Sequence, residues 1–468
     1  MPPQSCLKRP SAGNAPGQLR ESLALAWPQT LKMLAQYSVA LADVVAAGHI
    51  GKEVQASLGL MSLSLFVFLV AALALANGAV ALISQSLGAG LRQRANRYAV
   101  FILGLAAGFG VVFTLALSLA RPSVLELLNV PAAILPVAGC FLDAYLCALP
   151  AYYLLLTSNG IFQAYGHGRV PLASMCLVAV LNAVLDFGLG LGMWGFPQLG
   201  YTGVAWATCA AVGAGALLNL LCLRRLGLLR RGGFPPARWM RRAWDRLCRC
   251  SWPAGATHLA WQGSLPPLYA ILGALPGDPV GPLAGFAAGM RIDSIVLMPA
   301  HALALTAAIV VGKTLGMGGR EQARALAQRL FVLGVAFSAL VAVALWWLRG
   351  PLAGLVAPDA AAKAHALSYL TYFLPSAPFA VGAILLGGVM NGAGASLFNL
   401  VSFALAGWLV RLPLAYLLTR AGWLGAEGVW LSLGVSQACQ CLCLLHVLQR
   451  RNWRGFGMRP GRPLTRRR

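Results

Sequence analysis

Apolar residues dominate the chain in long runs that short polar segments interrupt. Twelve of these runs have roughly the 20 mostly apolar residues that a helix needs to cross a membrane. They predict spans at 24–48, 56–83, 98–120, 134–158, 170–192, 201–223, 253–275, 282–310, 327–348, 364–390, 398–419 and 428–448. The pattern therefore predicts an all-α polytopic membrane protein with twelve transmembrane helices.

The composition supports a membrane protein. Hydrophobic residues make up 59% of the chain and charged residues 10%, which is far from the balance of soluble proteins. Residues 1–20 are polar and lack the apolar core of a cleavable signal peptide. We expect the first span to be retained and the protein to be a multi-pass protein of the plasma (inner) membrane.

Charge predicts the orientation of the spans. The 36 Lys and Arg residues outnumber the 12 acids, and the net charge is +24. Most of the basic residues fall in the two tails and in every second connection, so the positive-inside rule predicts that both termini are cytoplasmic. Arginines that flank spans contact membrane lipid, and we therefore expect no nucleic-acid partner.

The chain repeats itself at an offset of about 225 residues. The motif "SQSLGAG" (84–90) recurs as "GKTLGMG" (312–318), and "LGYTGV" (199–204) recurs as "LGAEGV" (424–429). A repeat of six spans enters the membrane twice from the same side, which predicts two pseudo-symmetric six-helix lobes in a parallel repeat. A helix-ending turn suffices to explain the glycines of the first motif pair.

The repeat predicts five regions. They are a cytoplasmic N-terminal tail (1–20), an N-lobe with helices one to six (21–223), a basic cytoplasmic linker (224–250), a C-lobe with helices seven to twelve (251–448) and a basic cytoplasmic C-terminal tail (449–468).

Four acids lie inside the predicted spans: Asp43, Asp143, Asp186 and Asp293. A charge at the centre of a bilayer costs about 2.5–3.5 kcal/mol, so such a residue normally faces a cavity or a partner. Asp43 and Asp186 lie at similar depth in spans that enter from one side. Asp143 could instead lie near the outer interface, and Asp293 could form a structural ion pair with another helix.

A shared cavity at Asp43 and Asp186 would support cation exchange. Asn182 precedes Asp186 by four residues and therefore shares its helical face. Two carboxylates in an apolar wall cannot easily both stay charged, so the pair could take up and release a proton. The same oxygens, with Asn182, could hold Na⁺. The competing interpretation is that each acid only satisfies a helix end or a basic neighbour.

The second half does not repeat this pair. Arg411 occupies the place that corresponds to Asp186, and the counterpart of Asp43 lies near Tyr269, with no acid nearby. Polar and aromatic side chains could line a substrate cavity and hold an organic cation by cation–π contact. The candidates are Gln36, Tyr37, Tyr152, His258, Trp261, Gln262, Tyr369 and Arg411. Ordinary packing is the alternative role of the aromatic residues and of His258.

Neither the cysteines nor the histidines form a catalytic or metal-binding pattern. The closely spaced cysteines, such as Cys248 and Cys250, are two residues apart, a spacing that points side chains to different faces of a helix. The six histidines are scattered over different segments. We therefore expect no cofactor, no disulfide framework, no metal beyond a possible Na⁺ at Asp43, Asn182 and Asp186, and no enzymatic activity.

Over about residues 20–448, the chain resembles the multidrug and toxic compound extrusion (MATE) family. The residues that carry the resemblance include "PQTLKMLAQYSVALADVVAAGHIG", "ISQSLGAG", "LNAVLDFGLGLG", "GMRIDSIVLMPAHALALTAAIVVGKTLGMG" and "RLPLAYLL". The resemblance implies a two-lobe antiporter that exports organic cations in exchange for H⁺ or Na⁺ by alternating access. We expect a monomer.

The resemblance also implies residue roles. The family's N-lobe cation site falls on Asp43, Asn182 and Asp186, and its helix-four tyrosine and helix-six threonine match Tyr145 and Thr208. Some members carry an acid on helix seven and another after helix ten. In this chain, His258 and Gln262 stand near the first place, and the segment at the second place reads "NGAGAS". Coupling is therefore expected in the first lobe alone.

Two alternatives remain open. A lipid-linked sugar flippase of the same superfamily would line its cavity with several basic residues, and only Arg291 and Arg411 are candidates. An intramembrane enzyme would need clustered catalytic residues.

Overall fold

The computed structural model describes residues 15–128, 130–228, 235–276, 280–357, 359–420 and 424–450. Most of the two predicted tails (1–14 and 451–468) and residues 229–234 of the predicted linker lie outside the described residues.

The first half of the chain forms seven helices joined by short turns. They are α1 (Ala15–Ile50), α2 (Lys52–Gly88), α3 (Arg92–Leu119), α4 (Arg121–Leu127), α5 (Leu135–Tyr165), α6 (Arg169–Leu185) and α7 (Tyr201–Arg225). A 3-10 turn precedes α5 (Ala132–Ile134), and a π-helical turn (Asp186–Gly190) and a 3-10 turn (Met193–Gly195) follow α6.

The described residues of the second half form eight helices. They are α8 (Ala237–Gly263), α9 (Leu265–Gly273), α10 (Val280–Gly316), α11 (Arg320–Val356), α12 (Ala360–Gly392), α13 (Ser396–Ala404), α14 (Leu412–Arg420) and α15 (Ala426–Arg450). A second π-helical turn (Leu405–Arg411) joins α13 to α14.

The all-α polytopic fold is confirmed. Eleven helical segments of the described chain are long and apolar enough to cross a membrane, and they coincide with eleven of the twelve predicted spans. The described residues contain no strand. The remaining predicted span, 253–275, is divided at Ser264 between α8 and α9.

Two prolines explain that division. Pro266 and Pro267 stand at the start of α9. Each lacks the backbone N–H of a helical hydrogen bond, and its ring clashes with the preceding turn, so two adjacent prolines favour the end of one helix and the start of the next. The part of the predicted linker at 237–250 is helical and continues into the span as the first half of α8.

The larger clusters of buried apolar side chains lie mainly within one half each, and a small cluster of Val80, Ala308 and Ile309 joins the halves. The main cluster of the first half lies around Met61, Ile102 and Phe141. A cluster of the second half lies around Phe286 and Trp430. The helices of each half therefore bury most of their apolar surface against one another.

The halves pack together through α1 and α2 on one side and α8 and α10 on the other. The backbones of α2 and α10 approach each other at the ends of these helices. A Cβ atom at Gly88 would overlap the carbonyl oxygen of Lys313, and one at Gly316 would overlap that of Gln85. The side-chain amide of Gln85 donates a hydrogen bond to the carbonyl of Gly392 at 2.9 Å. We call this reciprocal backbone approach the helix-end contact.

The helix-end contact corrects one expectation. Gly90 and Gly318 have φ values of +74° and +84° and end their helices as predicted. Gly88 and Gly316 do more than this, because only a residue without a Cβ lets the two backbones approach so closely.

Candidate functional site

Three polar side chains of the first half meet in its interior. The Asn182 amide nitrogen donates hydrogen bonds to Asp43 Oδ1 at 2.7 Å and to Asp186 Oδ2 at 2.6 Å. Asp43 is 8% exposed, and Asn182 and Asp186 are 0% exposed. We call this arrangement the acid site. One amide group thus joins a carboxyl of α1 to a carboxyl at the end of α6.

The π-helical turn positions Asp186. Helix α6 ends at Leu185, and the wider turn begins at Asp186 itself. Single π-helical turns interrupt α-helices mostly at functional sites. The turn lies close to α7, since a Cβ at Gly190 would lie 2.8 Å from Val204 and one at Gly203 would lie 2.5 Å from the carbonyl oxygen of Leu189. Small residues on both sides allow this approach.

Tyr145 and Thr208 adjoin the acid site, and both are 3% exposed. Thr208 lies near the Asp43 carboxyl. Tyr145 lies close enough to interact electrostatically with Asp43 and Asp186. The structure therefore brings together all five residues that the sequence analysis assigned to cation coupling, from α1, α5, α6 and α7.

Ser62 of α2, which was not among the predicted site residues, lies near Tyr145. Its hydroxyl donates to the Leu58 carbonyl at 2.7 Å. A serine inside the apolar span 56–83 was the available signal, but small hydroxyl residues are common in membrane helices because they bond their own backbone.

Two oxygens of the acid site have no hydrogen-bond partner among the described residues. They are Asn182 Oδ1 and Asp186 Oδ1. Buried polar atoms are normally satisfied, and carboxylate and amide oxygens are suitable ligands for a proton or a small hard cation. The arrangement can therefore accept a positive charge where the two acids meet.

The other two acids have different surroundings. Asp143 forms an ion pair with Arg121, with Nε and Nη2 at 2.6 and 2.9 Å from its two oxygens. The side chains are 41% and 46% exposed, as expected near an interface. Asp293 is bound to another helix, but its partner is the Tyr369 hydroxyl at 2.8 Å. The ion pair suggested for Asp293 is wrong, because its contact is with a neutral donor.

Arg411 is the buried cation of the second half and is 2% exposed. It ends the second π-helical turn, and its Nε donates to the Ser436 hydroxyl at 2.9 Å. The guanidinium carbon lies 5.8 Å from the Trp261 ring centre and 5.9 Å from that of Phe403. Such distances allow cation–π attraction.

Arg411 also interacts electrostatically with Tyr369, which is bonded to Asp293. We call Asp293, Tyr369, Arg411 and Ser436 the arginine cluster. Tyr269, near the place that corresponds to Asp43, packs on Phe286 with ring centres 5.2 Å apart.

The other residues suggested for a substrate cavity are spread over several places. Gln36 and Tyr37 are exposed on α1. Tyr152 lies beside Tyr145 on α5. On α8, Gln262 is half-buried next to Trp261, and the half-exposed His258 lies near His301 of α10. The two histidines and Trp261 face a different helix set from the acid site.

Comparisons with known proteins agree with this architecture. The family model described as MatE matches residues 28–187 and 270–417. The first range contains the acid site, and the second contains three of the four members of the arginine cluster.

Curated relatives point in the same direction. The probable multidrug resistance protein NorM of Thermotoga maritima is 24% identical over 88% of this chain and 88% of its own length. The NorM of Pseudomonas aeruginosa is 28% identical over 91% of this chain and 88% of its own. An FAD transporter of Shewanella oneidensis is 26% identical over 68% of this chain and 69% of its own.

Solved structures share the fold. The bent form of the Vibrio cholerae MATE transporter VcmN superimposes with a TM-score of 0.84 at 21% identity, covering 92% of this chain and 96% of that one. A transporter of the MOP superfamily from Pyrococcus furiosus, described as having a binding pocket of reverse polarity, gives 0.82 at 19% identity, covering 92% and 96%.

Proposed function

Because the chain belongs to the MatE family, we propose that it is a secondary active antiporter that exports small organic cations in exchange for H⁺ or Na⁺. The acid site carries this proposal. It is buried within one half of a membrane protein and joins acids of two helices, which is typical of an ion pathway. Transport, and no enzymatic chemistry, is the activity that this family supports.

The coupling step follows from the charges. Two carboxyls held by one amide repel each other when both are ionised, and a proton or Na⁺ between them removes that repulsion. The two oxygens without partners, on Asn182 and Asp186, are available to such a cation. Loading therefore favours close packing of α1 against α6, and release loosens it.

Helix α1 connects this step to the other half. It carries Asp43 and also packs against α10 of the second half. A change in the position of α1 can thus alter the relation of the two halves, which is the requirement for alternating access. Coupling of two sites needs such an element with two arrangements that both sites influence.

The helix-end contact supplies a closed side. With both termini in the cytoplasm, the ends of α2 and α10 lie at the cytoplasmic face. We propose that the contact closes this face, so that the arrangement described here is the one that opens outward. Opening inward then requires separation at Gly88 and Gly316.

Cationic cargo is favoured over anionic cargo. The NorM relatives are named for multidrug resistance, and exchange for a cation balances export of a positive charge. The flippase alternative needs several basic residues in the cavity, and the buried Arg411 is bonded to Ser436. We further propose a monomer in the inner membrane.

The test is ethidium efflux in inverted membrane vesicles under an imposed pH gradient or Na⁺ gradient. We expect one of the gradients to drive accumulation of ethidium and dissipation of that gradient to stop it. Ethidium movement that is independent of both gradients would contradict the antiport. Transport of an anionic cargo instead of ethidium would favour the flippase alternative.

A further inference from the structure

The first half of α8 is a basic amphipathic helix outside the predicted spans. Residues 237–250 contain five arginines and a single acid, Asp245. Ala243 and Leu247 are buried in the core of the first half. Trp239 packs against Tyr98 of α3 with ring centres 4.9 Å apart. The helix is thus fixed on the first half by its apolar face.

A crevice lies between this helix and α3. Its volume is about 580 Å³, and its lining consists of Phe101, Leu105, Met240, Arg241, Trp244 and Asp245. Four of these side chains are apolar or aromatic, and the two charged ones carry opposite signs. Trp244 is 41% exposed, and an exposed tryptophan beside arginines is typical of the membrane–water interface.

Arg241 and Asp245 share one face of the helix. They are four residues apart, a spacing that puts their Cβ atoms about 6 Å from each other. Among the described residues, Arg121 and Asp143 form an ion pair, whereas Arg241 and Asp245 do not pair with each other. The Arg241 guanidinium and the Asp245 carboxylate can therefore both bind a third group. Both side chains are exposed at the mouth of the crevice.

We propose that this crevice binds a phospholipid whose headgroup is phosphoethanolamine. The lipid phosphate accepts hydrogen bonds from the Arg241 guanidinium, and the primary ammonium donates to the Asp245 carboxylate. The first carbons of the acyl chains then lie on Phe101, Leu105 and Met240.

The pairing of charges selects the headgroup. Phosphatidylglycerol offers a phosphate to Arg241 but no cation to Asp245. Phosphatidylcholine offers a cation, but its trimethylammonium has no N–H to donate. The surrounding arginines attract anionic lipid in general, and Asp245 is the residue that makes this crevice different from a plain basic surface.

Native mass spectrometry of the full-length protein in detergent tests the proposal. The protein is titrated with phosphatidylethanolamine, phosphatidylglycerol and phosphatidylcholine of identical acyl chains. We expect the wild type to retain phosphatidylethanolamine most tightly. Loss of one partly exposed, charge-assisted bond should weaken binding about three- to tenfold.

Three variants separate the parts of the site. Arg241→Gln should weaken binding of all three lipids. Asp245→Asn should weaken phosphatidylethanolamine alone and leave phosphatidylglycerol equal or tighter. Arg246→Gln is the matched control, since Arg246 is exposed on the same helix but does not line the crevice. Unfolding temperatures without added lipid show that the variants are folded.

Three results would overturn the proposal. The first is an equal affinity of the wild type for phosphatidylglycerol and phosphatidylethanolamine. The second is an unchanged affinity of Asp245→Asn for phosphatidylethanolamine. The third is a loss of lipid affinity in Arg246→Gln as large as that in Arg241→Gln. Because the measurement is binding, its outcome does not depend on transport activity.

Discussion

The two halves of the chain interrupt corresponding helices with a π-helical turn, but the buried charges at these turns are opposite. Asp186 begins the turn of the first half, and Arg411 ends that of the second. Both side chains are almost fully buried. The two halves therefore share the π-helical turn but carry buried charges of opposite sign there.

The surroundings of the two charges explain the difference. In the acid site, Asn182 bridges two carboxyls, and oxygens of Asn182 and Asp186 remain without a partner. In the arginine cluster, the guanidinium has a hydroxyl and two aromatic rings beside it. The first arrangement leaves two oxygens without a partner among the described residues, and we propose that an exchangeable cation binds them. We infer that the second already carries a fixed positive charge and supports the fold.

The largest effect is expected in the acid site. Asp186→Asn and Asp43→Asn each remove an oxygen that can hold a proton or Na⁺ while they preserve size. Gradient-driven ethidium efflux should fall by at least about tenfold, the effect of losing one strong charge-assisted contact. Efflux from vesicles with equal amounts of inserted protein measures this.

Asp293→Asn is the matched control in the other half. The new amide oxygen can still accept the hydrogen bond of Tyr369, so efflux and its dependence on the gradient should be largely retained. An equal loss in Asp293→Asn would mean that both halves take part in coupling, and full activity in Asp186→Asn would move the coupling site elsewhere.

The next effect concerns the helix-end contact, where both halves carry a glycine at the corresponding position. Gly88→Ala and Gly316→Ala each introduce a Cβ that overlaps backbone of the other half. Both substitutions should force the helix-end contact apart and reduce efflux to a similar extent. Spin labels on the ends of α2 and α10, in a cysteine-free background, should report an increased distance.

Gly108→Ala serves as the control for these substitutions, because its Cβ position has no described atom within 4 Å beyond its own stretch of helix. It should transport normally. An unchanged distance in Gly88→Ala would show that the contact adjusts without separating the halves, and the proposed closure would then be wrong.

A smaller effect is expected from Arg411→Gln. The substitution removes the bond to Ser436 and the contacts with two rings, which together contribute about 2–3 kcal/mol. Thermal unfolding in detergent should shift to lower temperature, while the ion that drives efflux stays the same. Loss of efflux as severe as in Asp186→Asn would instead favour an anionic cargo held by Arg411.

Tyr369→Phe should have the smallest effect. It removes the hydroxyl that donates to the buried Asp293, and leaving a buried acceptor without its donor costs about 1–3 kcal/mol. The unfolding temperature should fall slightly and efflux should persist. A change in the pH dependence of efflux would contradict the view that the arginine cluster is a fixed support.

Much of the acid site could be predicted from sequence. Asn182 and Asp186 share a helical face by spacing alone, and Asp43 could be assigned to the same depth because both spans enter from one side. The hydrogen bonds that join them could not be predicted, since they depend on how α1 rotates against α6. Spacing fixes neighbours along a helix, whereas packing fixes neighbours between helices.

Three other features show the same limit. The partner of Asp293 is Tyr369, which lies 76 residues further along the chain, on another helix. Ser62 resembles any hydroxyl residue of an apolar span until Tyr145 lies beside it. Gly88 and Gly316 repeat visibly in the sequence, but the repeat does not say that the two glycines face each other.

The sequence by itself determined the class of the protein, its repeat and the opposite charges of its two halves. The reason is that a long apolar run must form a helix to cross the bilayer, however the helices then pack against one another. Tertiary structure alone decided that one amide joins two acids, that Arg411 is satisfied by Ser436 and aromatic rings, and that backbone meets backbone at the helix-end contact. These are contacts over long separations in sequence, and their geometry follows from the way the helices pack and turn.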